Sequence, residues 1–222
     1  MFVVLFIVHP RKERFDQYLE LAKVLKPELE KIDGFIDNER FSSRRTEGHI
    51  LSLSTWRDEK ALIRWRTLAI HHAVQEKGRS EVFLHYHLRV GEIIADTDMP
   101  EGHAMREQRL DATETSDAKA ATISELVPEI REGATGTDLA AELGLPHVGS
   151  DGVVDQEVFE SIYNPGKLVL LASWRTAAAA DRWRPGARAP ATLRHRRVRI
   201  IRDYGMVDRR EAPQYYPPVE TS

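Results

Sequence analysis

Three groups of residues in this chain have the types and spacing that chemistry requires. Trp65 and His72 stand seven apart in a helical pattern with Ala61, Leu68 and Ala69 beside them, so an indole and an imidazole share one helix face. An imidazole titrates near neutral pH, which suits His72 to three roles: a core residue bonded to backbone, a pocket acid or base, or an axial heme ligand. His85, His87 and Arg89 alternate along a strand pattern whose other face carries Tyr86, Leu88 and Val90. That polar face either meets solvent or looks inward, where it could bind an anionic or phenolic molecule. His85 and His87 also have metal-ligand spacing, but no third ligand is evident in the sequence, and no metal site is expected. Asp37 and Glu39 put two carboxylates on one strand face, and both recur as Asp155 and Glu157. Their expected role is structural, as partners of Arg57, Arg64 and the repeats of these arginines.

The recurrence is general. Residues 34–66 return without a gap as 152–184, at an offset of 118, with 13 of 33 pairs identical. All four tryptophans fall in matched pairs, Trp56 with Trp174 and Trp65 with Trp183. A period this long marks a duplicated domain rather than a solenoid unit. Along the first copy, 2–8 reads as a strand covered on both faces, and 15–32 as an amphipathic helix that Pro27 bends or splits. Strands follow at 35–43 and 49–56, then a helix capped by Asp58 that runs to about Lys77, then a long strand over 81–94. This order is a βαββαβ unit of ferredoxin-like type. The second copy starts near Ala120 and is degenerate: its first helix is shortened to the region of Leu139, Ala140 and Leu143, and its second is cut off by Pro185-Gly186. Strands are expected at 153–161 and 167–174, and a last one around His195–Val198. The organisation is therefore α+β: a first domain over 1–94, a connector over 95–119, a second domain over 120–213 and a tail over 214–222 that wraps the surface.

Composition narrows the field. A chain of 222 residues with 41% hydrophobic and 30% charged residues can bury two cores of about 100 residues each. A net charge of −3 gives no reason to expect nucleic acid or an anionic membrane. Eight arginines lie between Arg182 and Arg202 (Arg182, Arg184, Arg188, Arg194, Arg196, Arg197, Arg199 and Arg202), without an aromatic stacking pattern, and read as a solvated face or as partners of the acidic connector. There is no cysteine, which excludes disulfides and thiolate chemistry. The apolar start is too short to span a bilayer and lacks a cleavage pattern, so a cytoplasmic protein is expected.

The residues around Gly34, Phe41, Trp56 and Trp65, with His72-Ala-Val-Gln75-Glu-Lys-Gly78-Arg79, resemble an antibiotic biosynthesis monooxygenase domain of the dimeric α+β barrel superfamily. The segment Arg202-Asp-Tyr204-Gly205 through Pro213 resembles the tail of small proteins of that family. The resemblance implies that two units close one barrel, here within a single chain as a pseudo-dimer, and that a pocket lies between sheet and helices. It implies, as the first expectation, a cofactor-independent monooxygenase acting on a small aromatic or quinone-like molecule in the N-terminal copy. Trp65 and Phe83 would be walls, with Ser52 and His87 as further substrate contacts. His72 or His85 would move protons, and Arg89 would steady an oxyanion. In the polyketide oxygenases of the family an asparagine lies four residues before the strand tryptophan, where this chain has Ser52 and Leu170. A heme-binding or heme-degrading protein with His72 as axial ligand, and a non-catalytic binding or scaffold protein, are the alternatives. Because the second copy lacks the counterpart of residues 72–79, one site per chain is expected. A further homodimer is compatible with all of these.

Overall fold

The computed structural model of the chain describes residues 1–127, 139–186 and 192–217. Its centre is a closed barrel of eight antiparallel strands: β1 (Phe2–Pro10), β2 (Phe35–Ser43), β3 (Ile50–Trp56), β4 (Phe83–Asp96), β5 (Ala120–Leu126), β6 (Val153–Ser161), β7 (Leu168–Trp174) and β8 (Arg194–Gly205). Around the barrel the order is β1-β3-β2-β6-β7-β5-β8-β4. The first four strands are thus contiguous as β4-β1-β3-β2, and the last four as β8-β5-β7-β6. Closure leaves no sheet edge unpaired.

Alternation within strands explains what fills the barrel. Val3 and Leu5 on β1, Leu51 and Leu53 on β3, Ile123 on β5, Val169 and Leu171 on β7, and Val198 and Ile200 on β8 turn inward, with Phe41 and Phe159 between them. Their neighbours in sequence turn outward, onto helices α1 (Phe15–Glu30), α2 (Glu59–Thr67) and α3 (Ala69–Lys77) in the first half, and α4 (Leu139–Glu142) and α5 (Ala177–Arg182) in the second. Trp56 and Trp174 are fully buried on this outward side, each at the end of its strand. Helix α1 runs through Pro27 without a break; the proline is exposed in the last turn, where one backbone bond is lost and little else.

The recurring segments 34–66 and 152–184 share local geometry at their strand–helix corners. Gly34 and Gly152 both take positive φ, 91° and 90°, and a Cβ on either would come within 2.7 Å of the Cβ of Ala61 or Ala179. Their carbonyls accept from the backbone N–H of Arg57 and Arg175, both at 2.8 Å. Asp58 and Thr176 then cap α2 and α5 by accepting from the N–H of Ala61 and Ala179. A glycine without a side chain at the strand entrance and an alanine on the helix are what allow this close approach.

Two seams join the halves. At β2–β6 the register is self-complementary: Phe41 faces Ser161, and Ser43 faces Phe159. Three of the four carboxylates singled out in the sequence serve this seam, Asp155 through Arg45, while Asp37 lies near Arg194 of β8. Glu39 accepts from Ser161, Asn164 and Lys167 of the other half, and Glu157 accepts from Ser43 and Arg45. Such reciprocity is the signature of an isologous contact. The expected partners differ: Arg57 and Arg64 pair with Asp33 instead, because both lie at the helix–strand corner, away from the seam. On and beside β8, which forms the second seam with β4, four arginines of the run are tied to acids. Arg194 meets Asp96, Arg196 meets Glu125, Arg197 meets Asp181, and Arg199 meets Glu92 and Glu107. Arg188 of that run and the tail beyond Pro217 lie outside the described residues. No helix among the described residues is long and apolar enough to cross a membrane.

Candidate functional site

A cavity of about 200 Å³ opens between the outer face of β1–β4 and helices α1–α3. Its floor is Val4 and Phe6 of β1, Ser52 and Ser54 of β3, and Tyr86, Leu88 and Val90 of β4. Its helical walls include Leu21, Leu25 and Leu29 of α1, Trp65 of α2, and His71 and Val74 of α3. It is larger than the cavity of about 150 Å³ that admits benzene in an engineered protein core. Trp65, Phe83 and Ser52, three of the sequence candidates, line it.

His72 does not. The expected single helix over 58–77 is broken at Leu68, whose extended backbone (φ −63°, ψ 129°) ends α2 and starts α3. Seven-residue spacing places side chains on one face only along an unbroken helix, so the turn at Leu68 exchanges the two histidines. His72 is exposed, with its ring stacked on Tyr216 and its Nδ1 bonded to the Tyr216 hydroxyl. His71 lines the cavity instead, stacked on Trp65 with ring centres 4.0 Å apart. Its Nδ1 lies 2.9 Å from the Trp65 carbonyl oxygen. A carbonyl only accepts, so Nδ1 carries the proton and Nε2 is the basic nitrogen. Burial pulls the His71 pKa down to about 4, and the ring is neutral at pH 7.

The charge on the wall is one-sided. Lys26, Arg40, Arg66, Arg79 and Arg209 line the cavity, and no aspartate or glutamate does so among the described residues. Three of the four arginines are engaged. Arg40 donates to the Tyr18 hydroxyl and to Asn38, while Arg79 and Arg209 both donate to the Tyr86 hydroxyl at 2.7 Å. Arg66 is different. Among the described residues its guanidinium makes no hydrogen bond or ion pair, its Nε is buried without a partner, and burial draws its pKa below the ordinary value. Arg184 occupies the matched position in the second half and donates to the carbonyls of Asp181 and Trp183. One repeat satisfies this arginine; the other leaves it facing the cavity.

Two further features escaped the sequence. Asn38 of β2 donates its amide to Ser52 and to the Leu53 carbonyl, bringing a carboxamide to the wall from the neighbouring strand. The C-terminal segment closes the cavity rather than only wrapping the surface. Tyr204, Arg209, Gln214 and Tyr216 line it, with Gln214 bonded to the Arg66 carbonyl and Tyr216 to Gln75. Burial raises the Tyr204 hydroxyl pKa to about 12.

The polar face of β4 turns into the barrel, away from this cavity. Arg89 donates to Asp203 at 2.8 Å and to Ser173 at 2.8 Å, and His87 Nε2 donates to the other oxygen of Asp203. Burial pushes the Asp203 carboxyl up, but His87 and Arg89 outweigh it and hold its pKa at about 2. Arg89 and His87 are therefore saturated by a group from β8. His85 lies beyond them, against His9 and His49.

In the second half the corresponding space is filled. Leu139, Leu143, Leu145, Trp174 and Trp183 pack into one cluster, and Trp183 donates to the Gly144 carbonyl. Trp183, at the position matched to Trp65, is a core residue, whereas Trp65 packs against the Phe2–Trp56–Val90 cluster and also lines the cavity.

A family model for Antibiotic biosynthesis monooxygenase matches residues 1–77. A protein of Pyricularia oryzae named jasmonate monooxygenase ABM is 45% identical over 222 residues, a match that covers 98% of this chain and 99% of that protein. Among solved structures, an aldoxime dehydratase is similar over 90% of this chain and 81% of its own, with a TM-score of 0.50 at 12% identity. An aldoxime dehydratase in complex with butyraldoxime is similar over 90% and 79%, with a TM-score of 0.51 at 11% identity. At such identities these structures bear on the fold alone. The near-full-length relative decides the rest: this chain belongs to the antibiotic biosynthesis monooxygenase family.

Proposed function

We propose that this chain is a monooxygenase for a small, largely apolar carboxylic acid, bound in the cavity under α1–α3 with its carboxylate on Arg66. The single observation that carries this reading is the unpartnered Arg66 guanidinium in an apolar cavity whose charged lining is entirely basic. A half-buried cation whose Nε is sealed from water and unpaired is costly, and a bound carboxylate relieves that cost while gaining a charge-assisted pair. The name of the Pyricularia relative agrees with the class, since jasmonate is such an acid. An aromatic or quinone-like body carrying a carboxylate fits the same wall of Trp65, Phe83 and Leu88.

The chemistry is read as cofactor-independent. The substrate loses a proton from a carbon made acidic by a neighbouring carbonyl, and its carbanion reduces dioxygen. The resulting hydroperoxide loses water to leave a carbonyl, so one oxygen atom stays in the product and all electrons come from the substrate. His71 Nε2 is the proton acceptor in this scheme. The heme alternative needs an imidazole facing the cavity, and His71 rather than His72 faces it. We read the two halves as copies of one βαββαβ unit, over 1–94 and 120–213, joined by 95–119, with one site per chain in the first.

The test is oxygen uptake with jasmonic acid as the probe under isotopically labelled dioxygen. One labelled oxygen atom in the product supports the reading, as does a fall in kcat of about a hundredfold or more in His71→Ala. No oxygen consumption with this acid or its aromatic analogues, or label arriving only from water, refutes it.

A further inference from the structure

At one end of the barrel, outside the cavity, three histidines meet on three neighbouring strands. His9 of β1 and His85 of β4 are Cα partners in the sheet. His49 precedes β3 on the other side of β1, next to Ile50, the partner of Val8. Residues in one row across antiparallel strands hold their Cβ atoms about 5 Å apart, so the three rings converge. Their ring centres lie 4.7 Å (His9–His49), 5.3 Å (His49–His85) and 5.6 Å (His9–His85) apart. One ring nitrogen from each lies within 4.8 Å of the other two. Inward-facing Ile7, Leu51 and His87 precede or follow them on the same strand faces, so the cluster points toward the barrel axis at its mouth.

None of the three imidazoles makes a side-chain hydrogen bond or ion pair, and no carboxylate joins the cluster among the described residues. His87, one step along β4, takes the one nearby acid, Asp203. Gly48 leaves the approach open: a Cβ there would stand 3.1 Å from His9 Nε2. Neutral imidazole is the form that ligates metal.

We propose that His9, His49 and His85 form a three-imidazole site for a divalent transition metal of the zinc class. Three neutral nitrogen ligands with a fourth position toward solvent is the donor set of open zinc sites, and imidazole also suits copper and nickel. Zinc–nitrogen bonds of about 2.0 Å bring the nitrogens of a tetrahedral site to roughly 3.3 Å from one another, a small rotamer adjustment from the present spacing. The bound ion would tie β1, β3 and β4 together at the barrel mouth. This site is independent of the oxygenase reading: none of its residues lines the cavity.

The full chain, stripped with chelator and dialysed, is titrated with zinc chloride by calorimetry and with cobalt chloride by visible spectroscopy. The expected result is one saturable equivalent per chain, a tetrahedral cobalt spectrum and a zinc-dependent rise in Tm. Loss of an outer partner of a metal ligand costs about 10–100-fold in affinity, so His49→Ala should cost at least about a hundredfold. The exposed His147→Ala serves as control and should bind as the parent does. Circular dichroism reports whether each variant is folded, and His85→Ala, at an exposed position, gives a second reading. Absence of saturable binding in the parent, or equal affinity in folded His49→Ala and His85→Ala, overturns the proposal, as does loss of binding in His147→Ala.

Discussion

Replacing Arg66 by leucine should move stability and ligand affinity in opposite directions. The guanidinium is half-buried on the cavity wall with its Nε sealed from water and unpaired, while the backbone carbonyl that accepts from Gln214 survives the substitution. A buried donor without a partner costs about 1–3 kcal/mol; because the far end of the side chain still reaches water, the low end, about 1 kcal/mol, is the expected relief. For a chain of this size that is a rise in Tm of about 2–4 °C. The ligand side has the larger figure. A hydrogen bond to a charged group contributes about 1.5–3 kcal/mol, so Arg66→Leu should weaken a bound carboxylic acid by roughly 10–150-fold. Scanning fluorimetry without ligand and calorimetry with jasmonic acid measure the two effects, and the neutral methyl ester is the control. The ester should bind parent and variant alike. If acid and ester lose affinity equally, or if the variant is less stable than the parent, the guanidinium is not the free anion-binding group described here.

Two further predictions concern the scaffold. His71 and His195 are both held to a pKa of about 4, His71 by burial and His195 by burial together with the nearby Arg184. The unfolded chain binds these protons near pH 6.5 and the folded chain does not. Their contribution is therefore full above pH 6.5 and is lost as pH falls toward 4, by at most about 3 kcal/mol each. Urea midpoints at pH 7, 5.5 and 4.5 should fall accordingly, with about half the slope in His195→Phe; a flat profile over this window would count against it. At the β2–β6 seam, Glu39→Ala and Glu157→Ala should each destabilise by about 2 kcal/mol, since each strips the acceptor from several donors of the opposite half. Urea unfolding checks this, and a change within about 0.5 kcal/mol in either variant would mean that the seam is held by backbone pairing alone.

Much of the frame was legible because it rests on local patterns. Strands over 35–43 and 153–161 have the expected bounds, and the repeated Gly34/Gly152 and Trp56/Trp174 mark turns and anchors that any closely packed strand–helix corner needs. The candidate site was legible only in part. Trp65, Phe83 and Ser52 reach the cavity, but the histidine beside Trp65 is His71, because the helix breaks at Leu68. One signal for that break was available: Thr67 precedes it and bonds back to the Ile63 carbonyl, a local bond that competes with the helix. For the Asn38 amide, the Gln214 and Tyr216 lids and the meeting of His9 with His49 and His85, no such signal exists. Each depends on which strand lies beside which.

The sequence by itself determined that residues 34–66 recur as 152–184, that the recurrence fades beyond them, and which segments alternate as strands or bury a helical face. These follow from residue periodicity and steric preference, which act over a few neighbours. Only the tertiary structure decided which charges are paired. Arg66 and Arg184 are the same residue in the same repeat, yet one is closed onto local carbonyls and the other is left bare beside a cavity. What separates them is the packing around each. In the second half the short α4 and α5 leave Trp183 packed against Trp174, while in the first half α1 and α3 form walls of a cavity that stays open in front of a charge.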